Sequence, residues 1–240
     1  MRFIISILAV SLALSLYPTM LLAKKVSSPI VKKGHVEVET QSEIFRSKDP
    51  TKNGKGKHQV EVSYGITDNW RSGIYGVYEK QPGSQLKYTQ AKWVNIVQLT
   101  ESGRYWVDTG LYIEYIWAAP RLAKPDVLEV KLLLEKPVEQ WKHTFNLIFK
   151  QPLWGTTTST VMDYAWRSRY KMDLGLELGI EAYGSFGALN NIQFSRQTHL
   201  IGPVLEYEIF DGVEIAFGWL MDTHEGVEYG DFKFNMEFEF

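Results

Sequence analysis

Along most of this chain apolar and polar residues alternate one for one, and the alternation restarts after each cluster of turn residues. Side chains on a strand point to opposite faces in turn, so a period of two marks strands with two unlike faces. Leu174, Leu176, Leu178, Ile180 and Ala182 oppose Gly175, Glu177, Gly179, Glu181 and Tyr183. Val107, Thr109, Leu111, Ile113 and Tyr115 oppose Asp108, Gly110, Tyr112 and Glu114, and Met162, Tyr164, Trp166 and Tyr170 oppose Asp163, Arg167 and Arg169. The last run, Phe232 to Phe240, sets four Phe and Met236 against Lys233, Asn235, Glu237 and Glu239 without a break. The pattern predicts about twelve strands and no amphipathic helix. They centre on residues 34–45, 57–66, 70–80, 85–98, 105–117, 126–135, 141–150, 161–171, 174–186, 197–209, 213–221 and 230–240. Residues 85–98 keep no clean alternation, which predicts a bulge there.

The links between these runs alternate in length. Thr67-Asp68-Asn69, Glu101-Ser102-Gly103, Lys171-Met172-Asp173 and Asp211-Gly212 read as tight turns, whereas 46–56, 117–126, 151–160, 185–196 and 221–229 are longer. Only Glu135 to Gln140 looks stretched for a short turn. Bacterial membrane barrels have short periplasmic turns, longer external loops and an even strand number. The fold class expected is therefore all-β, a transmembrane antiparallel up-and-down β-barrel of about twelve strands. A secreted soluble sandwich would account for the strands but not for the loop asymmetry. Trp70, Trp106, Trp141 and Phe210 fall near short-turn ends, and Tyr78, Trp117, Trp154 and Phe186 near long-loop ends, as two interfacial belts require.

Composition narrows the picture further. A formal charge of -2 gives no electrostatic support for a nucleic-acid partner. Hydrophobic content of 45% with a mean hydropathy of -0.20 excludes a helical membrane protein, yet suits strands that give only every second side chain to lipid. There is no Cys, hence neither a lipoprotein anchor nor a disulfide framework. Arg2, the apolar run Phe3 to Leu16, Pro18 and the segment ending at Ala23 read as a signal peptide, 1–23, cleaved to leave a barrel domain, 24–240. The final strand closing on Phe240 resembles the C-terminal assembly signal of bacterial outer-membrane barrels. That resemblance implies two partners, the outer-membrane lipids and the outer-membrane assembly machinery.

The face assigned to the lumen carries charges of both signs, which need water or partners. Either a hydrated, acid-rich pore or a plugged lumen tied by ion pairs would satisfy them. Glu114, Glu181, Glu206, Arg167 and Arg169 lie well inside their strands and are the candidates for selectivity. No catalytic residue, metal site or cofactor is assigned. None of the five His has Ser two positions later, so a lipid-hydrolase His-x-Ser pair is absent, and Tyr88-Thr89-Gln90 alone does not supply one. Asp222-Thr223-His224-Glu225 is the one candidate for protease-like or metal-binding chemistry, and reads better as a solvated loop.

Val62 to Trp70, Tyr105 to Tyr112, Gly179 to Gly184 and the terminal strand together resemble transporter-like outer-membrane barrels grouped with the phenol-degradation meta-pathway proteins. The resemblance implies a channel or passive transporter for small molecules, including hydrophobic or aromatic ones, and brings no catalytic residues. A lipid-modifying or proteolytic barrel enzyme and a plugged structural barrel are the alternatives.

Overall fold

The computed structural model describes residues 24–155, 159–194, 197–223 and 230–240. Its strands are β1 (Val36–Arg46), β2 (Gly56–Thr67), β3 (Trp70–Lys80), β4 (Lys87–Gln98), β5 (Asp108–Ala118), β6 (Val127–Val138), β7 (Trp141–Pro152), β8 (Val161–Lys171), β9 (Leu176–Ala188), β10 (Asn191–Ile192), β11 (His199–Phe210), β12 (Val213–Asp222) and β13 (Gly230–Glu239). Each long strand pairs antiparallel with its neighbours in sequence, and β1 pairs with β13 from Glu37↔Glu239 to Arg46↔Gly230, which closes the sheet. Twelve strands thus make an up-and-down barrel, while the two-residue β10 only prolongs β9 into an outer loop. Closure leaves no barrel strand with an unpaired edge, the condition for crossing a bilayer with strands.

The two faces are inverted relative to a soluble protein. On β2, Lys57, Gln59, Glu61 and Ser63 are buried while Val60, Val62, Tyr64 and Ile66 are exposed. Ile74 is 65% exposed, whereas Glu61 is 2% exposed. Such an apolar exterior belongs in hydrocarbon, and the polar interior is the lumen. Trp70, Trp106, Trp141 and Phe210 at the short-turn end, and Tyr78, Trp117 and Trp154 at the long-loop end, are all exposed, as girdles require.

Strand positions follow the alternation closely, and the differences lie in the turns. Glu101-Ser102-Gly103 is not a tight turn: residues 99–107 form one longer connection, so β5 begins at Asp108 rather than at 105. Asp108 accepts a hydrogen bond from the Gly103 N–H at 2.8 Å, and Thr100 Oγ1 accepts one from the Thr109 N–H at 2.8 Å, holding that segment out of the ladder. Conversely, the stretch expected to be loose, Glu135 to Gln140, is tight, because the ladder continues through Pro137 to Val138↔Trp141. Leu174 is 91% exposed at φ 65° in the turn before β9 rather than in the strand. The bulge expected in 85–98 is present, with pairing shifted between Val77↔Gln90 and Tyr78↔Tyr88.

Candidate functional site

The residues between the expected signal peptide and β1 do not join the sheet. They enter the lumen. At the short-turn rim the Gly34 N–H donates to the Gly65 carbonyl at 2.8 Å, and Lys32 pairs with Glu239 at 2.6 Å. Deeper in, the Val31 N–H donates to Gln98 Oε1 at 2.9 Å. Ser27 exchanges two hydrogen bonds with Asn146, N–H to Oδ1 at 2.7 Å and carbonyl from Nδ2 at 2.9 Å. An amide side chain thus imitates a strand partner and satisfies backbone groups that would otherwise be buried unpaired. Lys25 pairs with Glu39 and, at 2.8 Å, with Glu61, and Lys24 reaches Glu43 at 3.2 Å and Asp231 at 2.5 Å, close to the long-loop end. Val26 joins an apolar cluster with Ile148, Ala165, Tyr183, Leu200 and Leu220; Val31 joins another with Tyr75, Val94, Ile96, Tyr112 and Leu133. Residues 24–31 are therefore a plug. The sequence left an open and a plugged lumen as alternatives, and the structure shows the plugged one.

The expected selectivity residues all face this lumen, but they fall into two groups. Arg167, Arg169, Glu181 and Glu206 form one network on adjacent β8, β9 and β11: Glu206 accepts from Arg167 at 2.8 Å and pairs with Arg169, while Glu181 binds Lys233 and the Tyr183 hydroxyl, the latter at 2.8 Å. Glu114 lies on the opposite wall, held by Lys92 at 3.0 Å and the Tyr112 hydroxyl at 2.5 Å. Beyond it, Glu129 meets Lys131 at 3.1 Å and Lys150 bonds Asp163 at 2.9 Å. Lumen charges are thus largely paired across strands, as buried charges must be. A cavity of about 190 Å³ remains beside the plug, bordered by Ser27, Ser28, Arg71, Arg169, Glu214 and Asn235 among others. Sequence reasoning missed Lys24, Lys25, Val26, Ser27 and Val31 altogether; the only signal was two lysines directly after the expected cleavage site.

No catalytic constellation was expected, yet Ser and His side chains meet across strands on the outer face. Ser42 and His58 meet across β1 and β2 at 2.8 Å, and Ser168 and His143 across β8 and β7 at 2.8 Å. Among the described residues neither imidazole has a carboxylate on its other nitrogen, and His143 instead stacks on Trp141. Each pair satisfies two polar groups on a lipid-facing wall. His224 and Glu225 lie outside the described residues.

A closed antiparallel barrel with a lipid-facing apolar band, two aromatic girdles and a charged, plugged lumen defines a class: the transmembrane β-barrel of the bacterial outer membrane. The fold is similar to that of the COG4313 outer membrane channel from Pseudomonas putida F1, with a TM-score of 0.57 and 13% identity over 87% of this chain and 96% of that one. It is also similar to the outer membrane protein Omp33 of Acinetobacter baumannii, with a TM-score of 0.52 and 10% identity over 87% of this chain and 99% of that one. No protein-family model and no curated protein sequence matches the chain.

Proposed function

We propose that the protein is a channel or passive transporter for small molecules across the outer membrane, closed at rest by its N-terminal segment. The observation that carries this reading is the nature of the closure. A short peptide arm outside the ladder fills the lumen together with paired wall side chains such as Lys233 and Glu181. Fixing the arm's backbone opposes closure by ~1–2 kcal/mol per residue, and burying a valine returns only ~1.5–3 kcal/mol, so the hold depends on the Lys24 and Lys25 ion pairs. Such an arm can leave without unfolding the barrel. The fold likeness to a named outer membrane channel supports the same reading, and the apolar strips against Val26 and Val31 suit solutes with a hydrophobic or aromatic part. Selectivity in the opened lumen is assigned to Glu114, Glu181, Glu206, Arg167 and Arg169, with no catalytic group, metal or cofactor involved.

The filled lumen also favours a second reading, a structural barrel that never conducts. Single-channel recording in a planar bilayer separates the two. Mature protein is expected to conduct rarely, and the Lys24→Met/Lys25→Met variant to show frequent, discrete steps with cation preference. A folded, heat-modifiable double variant that stays silent would favour the structural barrel.

A further inference from the structure

The arm does more than obstruct: its side chains occupy surfaces on the wall. Glu39 and Glu61 stand directly opposite each other in the β1–β2 register, both on the lumen face. Like charges at that spacing repel, so the pair requires a cation between them. Lys25 supplies it, bonded to Glu39, to Glu61 at 2.8 Å and to the Tyr75 hydroxyl at 3.3 Å, with its ammonium 5.7 Å from the centre of the Tyr75 ring. Glu37 completes the group: one oxygen from each of the three carboxylates lies within 4.8 Å of the others, and Arg71, on the same lumen cavity, pairs with Glu37. Directly across from Glu37, Ser63 is 2% exposed and its hydroxyl has no hydrogen-bond partner among the described residues, a polar group left open beside the carboxylates. Tyr75 also belongs to the apolar strip on which Val31 packs. One ring therefore joins a carboxylate cage to a hydrocarbon surface.

We propose that this wall, Glu37, Glu39 and Glu61 around Tyr75 with the adjoining Val94 and Ile96 strip, is the binding station for an organic cation bearing an apolar group, and that Lys25 and Val31 hold its place in the closed state. The inference rests on the channel reading and names the solute class for the same lumen. Carboxylates select the charge, and the Tyr75 hydroxyl, where the Lys25 ammonium now rests, offers the same group a further acceptor. The apolar strip rewards an attached aryl or alkyl group. A compound with both parts competes with the arm for two anchors at once, so arrival of solute and release of the plug become one event.

The test uses the full mature chain carrying Lys25→Ala, which empties the ammonium position, and a second variant lacking residues 24–31. Benzylammonium chloride is titrated calorimetrically into each in detergent, with sodium benzoate, benzyl alcohol and calcium chloride as separate probes. Each probe is also applied to the deletion variant in a bilayer. Benzylammonium is expected to bind about tenfold or more tightly than benzyl alcohol and to block potassium current, and Glu39→Gln/Glu61→Gln in the same background to abolish both effects. Equal binding of benzoate, insensitivity to the double Gln change, or occupancy by calcium alone would each overturn the assignment. The two readings fail separately. Conduction without benzylammonium binding overturns the organic-cation station and leaves the channel standing; binding without conduction does the reverse. Should the deletion variant not fold, the calorimetric comparison in Lys25→Ala decides the station by itself.

Discussion

At the scale of single residues, lumen charges act through their partners rather than as free sign-setters. Glu206 is 2% exposed and lies between two guanidinium groups, so removing its charge leaves Arg167 and Arg169 facing each other, with Glu181 at 3.9 Å from the first and Glu177 at 3.3 Å from the second. Breaking such a buried pair from one side destabilises more than the intact pair stabilised, because a desolvated charge is left behind. Glu206→Gln is expected to lose about 3 kcal/mol in urea unfolding followed by heat-modifiability, and Glu206→Gln/Arg169→Met to recover part of it. Equal losses in the single and double variants would show that an unpaired Arg169 is not the source of the penalty. The sequence placed Glu206, Arg167 and Arg169 on the lumen face correctly, since period two fixes the face. It did not pair them, because β8 and β11 become close through β9 only once register is set.

At the scale of elements, the two-residue link between β6 and β7 shows what local sequence conceals. Glu139 sits at φ 53°, a left-handed conformation that hairpin turns demand and that suits Gly or Asn. Its Cβ makes that conformation unfavourable, so Glu139→Gly is expected to raise stability by about 0.5–1 kcal/mol, read as a shifted urea midpoint at constant slope. An unchanged or lowered midpoint would mean that the unfolded chain's extra freedom outweighs the relieved strain. Glu135 to Gln140 reads as a stretched link, although the ladder runs through Pro137 to Val138↔Trp141. In 99–107 the error ran the other way: Tyr105, Trp106 and Val107 look like strand, yet Trp106 is 79% exposed at the rim and the Asp108 carboxylate captures the loop backbone. Turn types depend on which side-chain acceptor reaches which N–H, and alternation carries no trace of that.

At the scale of the whole molecule, closure of β1 on β13 creates the lumen, and the arm fills it. Gly110 lines the lumen where the arm passes: a Cβ there would lie 2.8 Å from Pro29 Cβ. The wall is bonded on both sides through β4 and β6, whereas the arm is anchored at scattered points, so the arm should yield first. Gly110→Leu is expected to raise the open probability in bilayer recordings while the heat-modifiable shift on gels persists; a silent, fully folded variant would show that the arm tolerates the clash. What the sequence determined by itself was the strand pattern, the lipid and lumen faces and the barrel class, because each follows from side-chain period and turn spacing over neighbouring residues. The plug, the Glu39–Lys25–Glu61 bridge and the wall networks were decided only by the tertiary structure. They join residues as far apart in sequence as Lys32 and Glu239 or Ser27 and Asn146, and such distances close only when the sheet curls on itself and encloses the chain that precedes it.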